Sequence, residues 1–559
     1  MIVDHLISGG YVTKERESPH NWYHIHGDRS PPFTIPEVPV SGSSRAASTR
    51  RWKLRPKPAF GGTRQTGIQQ YMTVRRHARS QRIPIWPPPA GSPTALPDWY
   101  RGPMSIGTSG VEELAWVGRA LGGRVLAAER QSDRPHGGRP AWFVDVERDD
   151  GPLRVYARLQ RPELRDGGAA LEREGAVLDA LAAGGILVPR VLGVHSDPPG
   201  LLLECLSGTG DYAELDEDAR WDVDRRFLEE LVKLHAIDTA PFRAVGLVEP
   251  RDAPAFLLDD LDRWETVYRA MTTRSVPLIE FLCRWLRRHV PPAPVRASIL
   301  QGDTGPGQFM FDGSTLTGIV DWEFAQLGDP HLDLALIRGR DFYNPGADLR
   351  RWFQTYQELS GTAIDWDALA VYSVKALALT PMSLAGLCQS MPWTTDYAEW
   401  WTMNATYSRA TAQALAEATG VVTAADDVVL PEPVVGTVGG FLDVMDAVVD
   451  REFRPADPFG SSRADQAMRL SRMIRNAAGS ERELTTLELD DLSTVLGHRP
   501  RDPISGDAEL VGVIAEDDPS RDADLAAYLW RRTIRHEALF VGALGAGEGA
   551  VLQPIADLR

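Results

Sequence analysis

Apolar and polar positions follow three regimes along this 559-residue chain. Over residues 1–103 neither a helical nor a strand period can be traced. Text such as SGSSRAASTRRWKLRPKP and IPIWPPPAGSP mixes Arg, Ser and Pro without alternation. From residue 111 the pattern becomes regular. VEELAWVGRALGG predicts an amphipathic helix closed by Gly122-Gly123. AWFVDVE (141–147) and LRVYARL (153–159) read as two strands, with Asp149-Asp150-Gly151 as the turn of a hairpin. AALEREGAVLDALAA predicts a helix ended by Gly184-Gly185. VPRVLGVHSD and the short apolar strand LLLEC (201–205) follow. Hairpin, helix and strand in that order make a small β-rich lobe over 104–206. From about 215 the period is helical, in WDVDRRFLEELVKLHAID, AFLLDDLDRWETVYRAM and PLIEFLCRWLRRHV. There Trp264, Tyr268 and Trp285 read as helix-packing residues. The fold class is α+β: a small lobe and a large helical lobe over 207–426. PEPVVGTVGG reads as a boundary, and 427–559 as a further helical domain of unassigned role.

Charge sharpens the first boundary. Residues 1–103 hold fifteen Lys/Arg against six Asp/Glu and fourteen of the 41 prolines, a net charge of +9. The rest of the chain carries −26 of the total −17. Such a composition cannot bury enough apolar surface to offset chain entropy, so 1–103 is expected to be a mostly disordered basic extension. An untranslated leader with Met104 as the start fits the same text. So does a nucleic-acid-binding tail, which would lose its binding on removal of 1–103. His20, His24 and His26 are a candidate metal cluster, without the supporting carboxylates or cysteines that such sites use. With 43% hydrophobic and 25% charged residues the whole is a globular composition. No uninterrupted apolar run of about 18 residues predicts a membrane span. Three cysteines, Cys205, Cys283 and Cys388, are too few and scattered for a disulfide framework. A cytoplasmic protein is expected.

Chemistry concentrates in residues 298–338, SILQGDTGPGQFMFDGSTLTGIVDWEFAQLGDPHLDLALIR. SIL is a short strand that delivers Asp303 into a Gly-containing loop. FMF and LTGIV form a hairpin about Asp312-Gly313, which folds Gln308 toward 318–321 and so brings Asp321 near Asp303. Asp329 and Pro330 read as the cap and first turn of a helix. Two carboxylates and an amide at one loop suit phosphoryl transfer: one aspartate orients the attacking hydroxyl, while the other carboxylate and the amide oxygen hold magnesium. Read singly, each aspartate is an ordinary turn residue.

The segment resembles the aminoglycoside/choline phosphotransferase family, in the branch similar to the phosphotransferase domain of acyl-CoA dehydrogenase family proteins. QGDTGPGQ, VDWE and GDPHLDLA follow the family's order of motifs, LVKLHAID resembles its Leu-His helix, LEREGAVLDAL its Arg-Glu helix, and LLLECLSG its hinge. The resemblance spans about 111–420 and implies a protein-kinase-like fold, ATP and Mg2+ as cofactors, and a small-molecule hydroxyl as acceptor; from composition, no membrane partner is expected, and nucleic acid is the less favoured reading of the basic extension. By that resemblance Asp303 is catalytic, Asp321 and Gln308 hold the metal, and Glu174 pairs with a strand cation. The matching cation is Arg158; only five lysines occur, none in 104–232. Glu204 to Leu206 line the adenine through backbone groups, and Gly137 and Gly138 approach the phosphates. ATP and GTP are not distinguished.

Two positions depart from the family: Gln301 stands for His, and Gln308 for Asn. The extra methylene of Gln308 displaces a ligand oxygen, and magnesium tolerates little displacement. An active kinase and a catalytically impaired pseudokinase that binds nucleotide or ligand are therefore both carried forward. The −26 body would steer cationic acceptors. Tyr343, Asp341, Trp393, Trp400 and Trp401 are candidate pocket borders, or core.

Overall fold

Alternation in the first third of the folded region produces a sheet. The structure, a computed structural model, describes residues 12–17, 20–25, 111, 114–131, 140–160, 168–390, 397–423, 436–452 and 458–559. The chain divides into two units, Met1–Gly102 and Pro103–Arg559. In the first, the described residues form one antiparallel hairpin, β1 (Val12–Glu17) and β2 (His20–Ile25), with His20 opposite Glu17 and His24 opposite Thr13. His26 lies outside the described residues, as does the rest of the expected disordered extension.

The second unit opens with α1 (Ala115–Ala120) and strands β3 (Gly123–Arg130), β4 (Ala141–Arg148) and β5 (Gly151–Leu159). After α2 (Ala169–Ala183) come β6 (Val191–Ser196) and β7 (Pro199–Glu204). The sheet is antiparallel in the order β3-β4-β5-β7-β6. Strand β3 was not legible in the sequence: it is an edge strand, and of its eight residues only Val125 is buried. Trp116, Val144, Val155, Ala157 and Leu202 fill the core of this lobe. Helix α2 buries Leu171, Val177, Leu178 and Leu181, and with them the charged Glu174.

The large lobe is helical, as the 3.6-residue period predicts. It comprises α3 (Glu217–Ala236), α4 (Ala240–Ala244), α5 (Ala253–Met271) and α6 (Pro277–Arg288), then β8 (Ser298–Leu300), β9 (Phe309–Asp312), β10 (Thr315–Ile319) and β11 (Gln326–Gly328). Helices α7 (Pro330–Tyr343), α8 (Leu349–Ser360), α9 (Trp366–Ser390) and α10 (Tyr397–Ala418) complete it. The hairpin β9–β10 forms where expected, and β11, unforeseen, pairs with β8. Asp329 caps α7 through His331 N at 2.9 Å. Helix α9 is long and apolar enough to cross a membrane by composition, but it is buried between α5, α7 and α10 and serves as the core helix of the lobe. Tyr268 and Trp285 are core residues, as read from the sequence.

Residues 431–435 of the boundary segment lie outside the described residues, and its last positions already belong to α11 (Thr437–Glu452). The remaining helices are α12 (Pro458–Leu496), α13 (Pro503–Ala515), α14 (Asp522–Ala538) and α15 (Ile555–Leu558). They pack on the large lobe, α14 against α10 and α13 against α6. Arg288 of α6 donates to both oxygens of Asp522, at 2.9 and 2.8 Å. Arg338 of α7, 1% exposed, donates to Gln553 O at 2.8 Å and to Glu417 at 2.6 Å. Removing the C-terminal segment would leave the buried Arg338 Nε–H without its acceptor, while the Glu417 ion pair would remain. Calorimetry of the full chain is expected to show α11–α15 unfolding with the large lobe in one transition; a separate transition for 437–559 would show an independent domain.

Candidate active site

Strand β8 ends at Leu300, and the next three residues turn sharply. Gly302 has φ +85°, and a Cβ there would lie 2.2 Å from Phe324 O, so only glycine fits. The loop is pinned from α7 by Asp333, fully buried, which accepts from Gln301 N and Gly302 N, both at 3.0 Å. Asp333 also meets His235 Nε2 of α3 at 3.1 Å. A carboxylate only accepts, so Nε2 carries the hydrogen. The other ring nitrogen lies 2.8 Å from the Tyr356 hydroxyl.

Gln301 does the work its position requires. Its amide nitrogen donates to Val320 O and Asp321 O, both at 2.9 Å, and its oxygen accepts from Asp303 N at 2.7 Å and Thr304 Oγ1 at 3.2 Å. One buried amide therefore joins the backbones of both candidate aspartates. The expected proximity of Asp303 and Asp321 is created here.

The Asp303 carboxylate receives three donors. Gln308 Nε2 lies at 2.6 Å and Arg340 Nε at 3.0 Å, and Arg340 Nη2 also reaches Oδ2. Because a carboxylate only accepts, the Gln308 nitrogen faces it. The side chain is 27% exposed. Burial pushes the Asp303 carboxyl up, to about 7; Arg340 opposes the rise, while Asp321 and Glu323 add to it. Arg340 was not singled out in the sequence. It stands seven residues after Asp333 on α7, hence on the same face, and that spacing was the available signal.

Asp321, two residues past the end of β10, has φ +62°, a backbone state uncommon for a residue with a side chain. Its Oδ1 accepts from Arg158 Nη2 at 2.9 Å. Arg158 Nη1 bonds Glu174 Oε1 at 2.5 Å, and Glu323 Oε2 lies 3.7 Å from Nη2. The guanidinium is 8% exposed, and despite burial its three carboxylates hold its pKa above the ordinary arginine value. The structure thus unites Arg158, Glu174 and Asp321 as one cluster, to which it adds Glu323.

At the hinge, the Glu204 carboxylate is tied to Arg190 Nε at 3.0 Å, and its backbone N–H donates to Arg190 O at 2.9 Å. Of the expected backbone groups, the Glu204 amide is therefore spent; among the described residues the Leu206 amide donates to no backbone carbonyl. The Leu206 side chain packs so close to β10 that a Cβ on Gly318 would lie 2.8 Å from it. Gly137 and Gly138 lie outside the described residues, as does Trp393. Asp341 is structural, accepting from Gly346 N, Ala347 N and Gln553 Nε2. Tyr343 donates to Glu399, and Trp401 packs on Phe540. Among the described residues no three His, Cys, Asp or Glu side chains form a metal cluster.

Replacing Gln301 by Ala removes four buried hydrogen bonds and is expected to cost about 2–4 kcal/mol, read as a lower urea midpoint. Gln301→His is expected to recover part of that loss.

Residues 137–372 match the phosphotransferase enzyme family, a span that holds Arg158, Glu174, Gln301, Asp303, Gln308, Asp321 and Arg340. The chain is 28% identical over 177 residues to acyl-CoA dehydrogenase family member 10 of Mus musculus, covering 30% of this chain and 16% of that protein. It is 26% identical over 110 residues to acyl-CoA dehydrogenase family member 11 of Gallus gallus, covering 19% and 14%. The match thus spans less than a fifth of either relative's length. Among solved structures, macrolide 2′-phosphotransferase MphH of Brachybacterium faecium is similar at 21% identity, covering 49% of this chain and 91% of that one, with a TM-score of 0.37. A sheet-bearing small lobe, a hinge, and a helical lobe whose Asp303 loop precedes the Asp321 hairpin are the layout of the matched segment, and over residues 137–372 this two-lobed α+β chain is similar to the phosphotransferase enzyme family.

Proposed function

We propose that the chain is an ATP- and magnesium-dependent phosphotransferase that moves the γ-phosphate to a hydroxyl group of a small molecule. The observation that carries this reading is Arg158, buried between Glu174 and Asp321, with Asp303 tied to the same Asp321 backbone through Gln301. A guanidinium so fixed can bridge phosphate oxygens, with Glu174 setting its direction. Asp303, its carboxyl raised to about 7, orients the acceptor hydroxyl and takes its proton.

The residues fit a magnesium–nucleotide. Asp321 Oδ2 and Gln308 Oε1 are oxygen acceptors with no hydrogen-bond donor among the described residues. Magnesium is commonly held by one or two such groups plus substrate phosphates, so a cluster of three protein ligands is not required. When bound, it supplies charge neutralisation on the phosphates. Arg158 and the Leu206 amide would hold the nucleotide, and Asp303 would serve the hydroxyl.

A second reading is a catalytically impaired nucleotide- or ligand-binding module. Its support is the Arg340–Asp303 ion pair, which occupies the base.

On the first reading, ADP release with an accepted hydroxyl compound falls by about 10²–10⁴-fold in Asp303→Ala. With Asp303 in place, kcat/KM rises with pH through about 7 and levels above, because the base works deprotonated. Persistence of activity in Asp303→Ala would refute the assigned base. Asp321→Ala is expected to abolish the magnesium dependence of ATP binding, measured by calorimetry. The second reading expects nucleotide binding without ADP release across a broad panel of hydroxylated metabolites.

A further inference from the structure

A cavity of about 690 Å³ lies between α6, α9 and α10 of the large lobe and the C-terminal helices α13 and α14. Native interiors rarely leave voids much larger than a water molecule, and ligand pockets run to about 300–1,000 Å³. This space is therefore a pocket and not a packing defect. None of Arg158, Asp303, Gln308, Asp321 or Arg340 lines it. One wall comes from helices beyond residue 372, where the phosphotransferase match ends.

Its lining has a definite chemistry. Ile279, Pro381, Ala385, Leu529 and Phe540 make apolar walls. The charged residues at one end are already matched: Arg532 pairs with Asp507 at 2.5 Å and Glu488 at 3.3 Å, and His536 with Glu488 at 3.0 Å. Arg274 is exposed at the rim, where water screens it. A charged ligand would gain little and would lose its hydration. Asn404 and Ser408 also face the cavity, four residues apart and so on one face of α10. Neither side chain has a hydrogen-bond partner among the described residues.

We propose that this cavity binds a neutral, largely apolar small molecule whose hydrogen-bonding group faces Asn404 and Ser408. The site is distinct from the one that carries phosphoryl transfer. A ligand there touches both the large lobe and the appended helices, so it stabilises their packing and raises Tm in proportion to its saturation.

The test uses the full chain and two fluorescent probes: Nile red, neutral with a ring carbonyl, and diphenylhexatriene, a pure hydrocarbon. Saturable binding of one Nile red per chain, with a rise in Tm, is expected. Ala508 lines the cavity but is exposed, so Ala508→Trp obstructs the mouth without entering the core. In that variant, folded by circular dichroism, Nile red affinity is expected to fall about tenfold or more while ADP release is unchanged. The double change Asn404→Ala with Ser408→Ala is expected to weaken Nile red about tenfold and to leave diphenylhexatriene unaffected. Absence of saturable binding, or unaltered binding in Ala508→Trp, overturns the proposal. Equal response of both probes to the double variant overturns the role of the polar pair. Loss of ADP release in Ala508→Trp makes the cavity part of the acceptor site and overturns its independence.

Discussion

The buried guanidinium of Arg158 is the interaction on which the domain turns. An 8% exposed cation is costly unless it is paired, and here the pairing comes from two lobes at once. Glu174 belongs to the small-lobe helix, and Asp321 and Glu323 follow the large-lobe hairpin. The charge cannot be satisfied by one lobe alone to the same degree, so the ion pairs set the small-lobe sheet over the end of β10. The strained backbone at Asp321 is explained by the same demand: its carboxylate is turned toward Arg158 while its carbonyl accepts from Gln301. Strain of this kind persists where the surroundings over-determine it, which is common at functional sites.

Around that cluster the structure distributes the work among different kinds of residue. Asp333 and His235 fix the backbone of the Asp303 loop from the core of the large lobe. Gln301 couples that loop to Asp321. Gln308, which departs from the family's Asn, turns its amide nitrogen to Asp303, leaving its oxygen for another partner. The amide thus has two separable tasks, and the longer side chain is able to perform the first one without any other residue supplying it. Arg340 is what distinguishes this arrangement from a bare catalytic aspartate. It compensates a carboxylate that also feels the negative charges of Asp321 and Glu323.

Much of this is legible in the sequence. The 298–338 segment is legible because its punctuation is local: a Gly before Asp303, a two-residue turn after Asp312, and a cap with proline at 329–330 each have a short-range cause. Arg158 and Glu174 followed from the resemblance, and the structure places their side chains 2.5 Å apart. What escaped depends on tertiary placement. β3 carries charged residues on an exposed edge, so its alternation is faint. β11 is three residues long. Arg340 meets Asp303 only because α7 runs past the loop, and the C-terminal helices gave no hint that α13 and α14 would cover α6 and α10. At the hinge, the Glu204 amide is taken by the Arg190 carbonyl just ahead of β6, a contact no local pattern announces.

The central claim is that Arg158, Asp321 and Asp303 make a working phosphoryl-transfer site. The most direct test incubates the full chain with ATP labelled in the γ-phosphate, magnesium and a mixture of hydroxylated metabolites, and follows the label. The account expects label to move into an organic acceptor only with magnesium present. Tight, magnesium-dependent nucleotide binding with no label in any acceptor would contradict it and leave the binding-module reading in its place.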